Sequence, residues 1–540
     1  MPPRLADTSL GVFEEIDLGP RTPPSGLGTG AAFPNVRLDK LTGFKSVLLE
    51  MIIYATLFML ALDNSIVAIL QPSIAYQFRA LDKFPWLAVG HQLGGLTAAM
   101  PLAKLYSVFD AKPLFLLFTV AFLGASALSG TAVNMASEIV GRVWAGIAVT
   151  GMRCGLLLIH KRNLVEKERH AACPDPLTIV WALGSLLGPV VGGALALASW
   201  RWAFYMNLFP ILIILPVCIL IVPSRPSVRQ GSTSRHLEAL DPMGILLSVV
   251  SMTTFAAATN LAGVLFSWKG SNVIILYAVS AICCVGFALQ QTFCIFTTAS
   301  NQLVPIPLLG SREAMINYFF VSCGSTMAYI TTNYVPIYLE LIRGASPAQT
   351  AGRTLPLGFL LAISFLFSEN LRHTAVFYRT WSVFAAALGL AGAVLMSKVN
   401  VDTPTATISG YQTILGIGAG CFAHAGFVSV QTSLYPGHDT SDAALMLVAQ
   451  LGGSTIGLSL AGAIFVNTAK KSLASLFPEL GADALDLVMA GASGDFLSNL
   501  RAKDQALALD CIVEALRKVF IHAYAASAVA IFMGALIEAE

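Results

Sequence analysis

Gly184-Ser-Leu-Leu-Gly188-Pro189-Val-Val-Gly192-Gly193 lies inside an apolar run from about Thr178 to Ala198. The run is long enough to cross a bilayer. Four glycines and a proline in ten residues make a poor isolated helix in water. In a membrane the same stretch reads differently. Gly184, Gly188 and Gly192 recur every fourth residue, so one face has no side chains and a second helix can approach its backbone. Pro189 removes one amide hydrogen and frees the carbonyl of Ser185, which bends the helix. The stretch is either a small-residue packing face or a seam along which two helix bundles rock.

The composition supports the membrane reading. Hydrophobic residues make up 56% of the chain and charged residues 11%, with a mean hydropathy of +0.73. A soluble domain carries about 25% charged residues. The nine cysteines have no zinc or disulfide spacing, and the net charge of +2 gives no reason to expect a nucleic-acid partner. Residues 1–46 are polar and rich in Pro and Gly, as in a disordered cytosolic tail.

Apolar windows of about 20 residues predict fourteen spans. They start near Val47, Phe84, Pro113, Ala136, Thr178, Trp202, Met243, Val273, Ile316, Ala351, Val376, Ile408, Ala443 and Val519. The expectation is an all-α membrane protein with a six-helix bundle over 47–222, a cytosolic linker over 223–242, two extra central spans over 243–297 and a second six-helix bundle over 311–537. Lys and Arg in the short loops place both termini in the cytosol, with an asymmetry of about two to one. The long segment 467–518 then lies outside. Leu507, Leu509, Ile512, Val513 and Leu516 have helix-compatible spacing and make it partly helical.

Ionisable groups within spans are costly and are functional candidates. Asp63, in Leu62-Asp63-Asn64-Ser65-Ile66-Val67, falls midway along the first span. It is either a proton-exchanging carboxyl or half of a permanent ion pair. Arg142, early in the fourth span, is the expected partner, because an unpaired guanidinium there is costly. Arg153, about three turns on, lines a cavity or snorkels. Gln92, Asn333, His424, Gln431 and Gln450 are substrate-cavity candidates, or they make interhelical hydrogen bonds. The chain has no phosphate-binding Gly-x-x-x-x-Gly-Lys-Ser/Thr loop, no His-Glu-x-x-His and no Gly-x-Ser-x-Gly. An enzyme reading has no constellation to rest on, no cofactor is expected, and transport draws on an ion gradient or runs downhill.

These residues together resemble the major facilitator superfamily, specifically its fourteen-helix drug:proton antiporter branch and the fungal toxin pumps related to trichothecene exporters. Gly184, Gly188, Pro189, Gly192 and Gly193 match the antiporter motif, Gly-x-x-x-Gly-Pro-x-x-Gly-Gly. Leu62 to Val67, with Pro72-Ser-Ile74, resembles the branch's first-helix motif. Gly141-Arg142 with Gly146 resembles the fourth-helix motif, whose arginine is assigned to proton transfer. Trp200 to Asn207, Gln290 to Phe296, Gly410 to Gly420 and Ala461 to Asn467 resemble further runs of the branch, so the likeness covers about 45–537.

The resemblance implies proton-coupled efflux of an amphipathic small molecule, such as a toxin, drug or fungal secondary metabolite. It implies a monomer in the plasma membrane, with the proton gradient in place of a cofactor. Asp63 and Arg142 would carry the coupling, and Lys104, Asp110 and Lys112 would form a gating loop. The chain departs from the family at Ala103, where Gly is expected, and at Ser107, where an Asp is expected. A Pro-containing insert at 170–176 precedes the fifth helix. A siderophore or other metabolite carrier, and a receptor-like relative that no longer transports, are the competing readings.

Overall fold

The apolar runs become helices. The computed structural model describes residues 43–537 apart from 164–175, 223, 225–239, 263–265, 299–300, 305, 372–374, 434–438, 480, 482–484, 486–487 and 490–500; the side chains of 161–163, 307–308, 375–376, 378 and 422–444 are also outside the description. The expected tail and the insert therefore lie almost wholly outside the described residues.

The first set of helices is α1 (Phe44–Gln77), α2 (Pro85–Val108), α3 (Ala111–Gly130), α4 (Met135–Asn163), α5 (Pro176–Ala196), the short α6 (Trp202–Tyr205) and α7 (Leu208–Ile221). Then come α8 (Pro242–Leu261), α9 (Ser271–Thr292) and the short α10 (Ile306–Leu309). The last set is α11 (Arg312–Leu341), α12 (Pro347–Leu371), α13 (Ala375–Met396), α14 (Thr405–Ser433), α15 (Asp439–Leu476) and α16 (Ala502–Ala535).

Local chemistry sets several helix starts. Asp110 accepts from the Lys112 amide at 3.3 Å and opens α3; Ser311 accepts from Ala314 and opens α11. Pro85 and Pro242 occupy first-turn positions, where no donor is lost. Inner prolines such as Pro72, Pro189 and Pro336 sit within helices, a habit of membrane segments.

Among the described residues, eleven helices are long and apolar enough to cross a membrane, with α6 and α7 forming one of them as Trp202–Ile221. Three further long helices, α2, α11 and α14, lie between them. All three carry buried polar side chains, including Gln92 on α2, Asn317, Asn333 and Glu340 on α11, and Gln412 on α14.

The packing repeats. In the first set α1 packs on α5, α2 on α4 and α3 on α4; in the last set α11 packs on α15, α12 on α14 and α13 on α14. The two sets meet where α2 lies on α15, α5 on α12 and α1 on α11. This internal correspondence is not visible in the residues themselves. The α8–α9 hairpin leans on that junction, because α8 touches both α2 and α15. Asn260 of α8 donates to the Ser459 hydroxyl of α15 at 2.7 Å.

The expected helix around Leu507 to Leu516 is present, and the last helix starts earlier than Val519. Within 467–518, α15 continues to Leu476 and α16 begins at Ala502, well before Val519. Ala508, Ile512, Val513, Leu516 and Val519 form its buried face. Its charges lie on the other side, where Glu514 pairs with Arg517 at 3.5 Å and with Lys518 at 3.8 Å.

Candidate functional site

The α1 and α4 helices and the residue that opens α7 bring polar side chains to one buried point. Asp63 Oδ2 lies 3.2 Å from Arg142 Nη1, and its Oδ1 accepts from Asn207 Nδ2 at 2.8 Å. All three side chains are buried. Asn207 also reaches the Ser126 hydroxyl of α3 at 3.4 Å, and Phe204 offers its ring face to the Arg142 guanidinium at 5.7 Å. The acid is therefore held by one cation and one amide. Removing one partner from a buried pair costs about 3–5 kcal/mol, because the other charge is stranded. Glu138, one turn before Arg142, is a second buried acid, and its charge interacts with Arg142, Arg201 and Asp63.

Asn64, next to Asp63, faces elsewhere. It lines a chamber of about 130 Å³ between the two helix sets, with Trp181 and Ser185 of α5, Tyr329 and Asn333 of α11, Thr354 of α12 and Gln450 of α15. Asn64 donates to Tyr329 Oη at 3.4 Å and accepts from Gln92 Nε2 at 3.3 Å; Ser454 of α15 donates to Gln92 Oε1 at 3.3 Å. Amides and hydroxyls therefore join α1, α2, α11 and α15 around an otherwise apolar wall. Toward the α1 C-terminus, Gln71 donates to Asn333 Oδ1 at 2.6 Å, and both residues are buried.

Of the expected cavity residues, Asn333 and Gln450 line this chamber and Gln92 hydrogen-bonds to its wall. Arg153 lies behind it, with its guanidinium 4.7 Å over the Trp181 ring. His424 and Gln431 are on α14, but their side chains lie outside the described residues.

The glycines divide into two groups. A Cβ on Gly184 would lie 2.6 Å from Ala61 Cβ, and one on Gly188 would overlap Ser65 Oγ; Gly192 faces Ile66. These three are the close contact of α5 with α1, inside one helix set. A Cβ on Gly193 would lie 2.8 Å from both Pro347 O and Ala351 Cβ of α12, across the junction between sets. The seam reading fits Gly193, whereas the packing reading fits the other three. Pro189 lines the chamber.

The expected gating loop is also divided. Lys112 Nζ donates to the Ile219 carbonyl at 2.7 Å, and Ser224 donates to Asp110 Oδ2 at 2.6 Å, so both acid and base cap the end of α7. Lys104 reaches further, to the Gln302 carbonyl at 3.4 Å. Nearby, Asp241 is a buried hub that accepts from Gly244 N, Gln290, Gln291 and Leu303 N. Among the described residues no group of three or more His, Cys, Asp or Glu side chains is placed to hold a metal ion.

Sequence reading missed Gln71, Glu138, Asn207 and Glu340. Asn207 closes the Trp200–Asn207 run and Glu138 lies one turn from Arg142, so spacing held a clue to both. Nothing in the sequence singles out Gln71.

Known proteins bear on this geometry. A sequence profile of the Major Facilitator Superfamily matches residues 53–461. A "Phomenoic acid biosynthesis cluster MFS-type transporter" of Leptosphaeria maculans is 34% identical over 91% of this chain and 81% of its own length. The "Efflux pump patC" of Aspergillus clavatus is 31% identical, covering 95% of this chain and 94% of its own. Among solved structures, a bacterial homolog of the human lysosomal transporter Spinster, inward-facing and unoccupied, aligns with a TM-score of 0.59 over 92% of this chain and 97% of that one. Its sequence identity is 13%, so that likeness shows the fold alone.

Proposed function

The chain belongs to the major facilitator superfamily, whose members here are transporters rather than enzymes, and from that premise we propose that it exports an amphipathic small molecule in exchange for protons. Transport of small molecules across a lipid bilayer follows from the family. Two relatives of high coverage are named efflux pumps, patC and DEP3, which favours export and a toxin-like or secondary-metabolite cargo.

One observation carries the coupling. Asp63 and Asn64 are neighbours on α1, with Asp63 clasped by Arg142 and Asn207 and Asn64 in the chamber wall. A proton arriving at Asp63 cancels its charge and weakens the clasp. The same turn of α1 is then free to shift its chamber face. Cargo binding at Asn64 acts on Asp63 in reverse, since coupling between two sites is reciprocal. In this reading the long helices make fourteen spans, six, two and six, with both termini in the cytosol of a plasma-membrane monomer. The proton gradient is its only energy source.

The test is uptake of ethidium by proteoliposomes with an acidic lumen. Ethidium carries a permanent charge, so acid trapping does not concentrate it. Accumulation that collapses when the pH gradient is dissipated supports exchange; accumulation indifferent to the gradient overturns it.

A further inference from the structure

The Asp63–Arg142 pair has a second acid beside it. Glu138 lies one turn before Arg142 on α4 and is fully buried. A spacing of four residues puts two helical side chains within reach of each other. Here they form no ion pair, because Arg142 Nη1 is engaged on Asp63 at 3.2 Å. Arg142 Nε makes no hydrogen bond among the described residues. The guanidinium therefore keeps a donor in reserve, one turn from an acid.

The surroundings of Glu138 suit a neutral carboxyl. Its hydrogen-bonding neighbour on α3 is the buried Ser129 hydroxyl. A hydroxyl satisfies a protonated acid and does not neutralise a carboxylate. Arg201, before α6, acts on Glu138 from a distance, but its Nη1 donates to the carbonyls of Gly130 at 2.9 Å and Ala132 at 2.7 Å. His91 of α2 faces Arg142, and Asn207 brings only an amide. At the centre two acids thus share one buried cation. Two carboxylates at one site do not both stay ionised. One proton makes Asp63, Glu138 and Arg142 neutral together. Asp63 holds two donors, the Arg142 guanidinium and the Asn207 amide, as a carboxylate does. The proton belongs on Glu138.

We propose that Glu138 is a second proton-carrying residue of the coupling site, which holds a proton while Asp63 is paired with Arg142, hands it to Asp63 and receives Arg142 in exchange. An O–H bond breaks on Glu138 and one forms on Asp63, while the guanidinium keeps its charge and changes partner. The three groups sum to zero before and after, so no buried charge is stranded. With both termini cytosolic, α1 ends and α4 begins at the outer face, and Glu138 stands on the outer side of Arg142. That direction for the proton rests on the exchange reading; the proton on Glu138 does not.

Infrared difference spectroscopy on the full chain in lipid nanodiscs at neutral pH tests it. A protonated carboxyl has a C=O stretch that a carboxylate lacks. Native-minus-variant spectra cancel other buried acids such as Glu340 and Glu369. The band is lost in Glu138→Gln. It is lost in Asp63→Asn as well, because Arg142 then turns to Glu138 and ionises it. Isotopically labelled glutamate carboxyls, introduced by cell-free synthesis, shift the band. A band that survives either substitution overturns the proposal, as does one that labelled glutamate leaves in place. In proteoliposomes Glu138→Gln loses gradient-driven ethidium accumulation and keeps exchange at equal pH, and Glu138→Asp restores accumulation. Native accumulation in Glu138→Gln also overturns the proposal. The infrared pattern without accumulation by the native chain removes the exchange reading and leaves the proton on Glu138. Accumulation by the native chain without the infrared pattern removes the role of Glu138 alone.

Discussion

Asp63 on α1 and Arg142 on α4 meet at 3.2 Å, and each side chain is 2% exposed. The two helices are thereby tied through charge at a depth where apolar packing alone would hold them. With Asn207, at the N-cap of α7, on the second carboxylate oxygen, three segments converge on one carboxyl group. A change of charge at Asp63 is felt by all three.

The glycines of α5 separate stability from conformational balance. Gly188→Leu drives a side chain into Ser65 and Leu62 of α1, within one helix set. Overpacking of this kind costs about 1–3 kcal/mol and acts in every access state. The expected result is a lower thermal midpoint and poor insertion. Gly193→Leu instead meets Pro347, Ala348 and Ala351 of α12, across the junction. It penalises the state in which these ends touch, and a bias of about 1.4 kcal/mol is tenfold in the ratio of states. Faster maleimide labelling of Ser73→Cys from outside intact cells would report that bias. The two variants behaving alike would contradict the division.

The outer contact carries a separate expectation. Gln71→Ala removes one net hydrogen bond, worth about 0.5–1.5 kcal/mol. Labelling of Ala68→Cys from outside should rise several-fold. Asn333→Ala should raise it similarly, and the double variant should add little, because the two residues share one interaction. Additive effects would show that Gln71 and Asn333 act apart.

Much of the fold is legible in the sequence. Twenty-residue apolar windows placed most helix starts within a few residues, since bilayer thickness sets the length. The last helix is expected from the sequence as a span from Val519 and a separate helical stretch before it, and their continuity is hidden because Lys503, Asp504, Asp510, Glu514, Arg517 and Lys518 break the apolar run. Only the fold shows these charges on the face opposite Ile512 and Leu516. The Asp63–Arg142 pairing was legible because a guanidinium within a span needs an anion. Asn207 and Gln71 carry no charge, so nothing forced a partner. Glu340 lies one residue before the end of α11, where an acid in sequence looks like an interfacial one. The glycine spacing revealed a close approach but not which helix approaches.

Orientation is tested between α15 and α16. With cytosolic termini, the segment from Phe477 to Arg501 faces outward. An epitope inserted beside Gly494 should bind antibody on intact cells. Labelling only after permeabilisation would invert the topology.

The central claim is that Asp63 joins the proton to the cargo. Asp63→Asn keeps the shape and the chamber while removing the titration. The measurement is ethidium movement in proteoliposomes, once with an acidic lumen and once as exchange at equal pH. The account predicts that exchange at equal pH persists while gradient-driven accumulation disappears. Accumulation at the native rate in Asp63→Asn would contradict it and place the proton on another group.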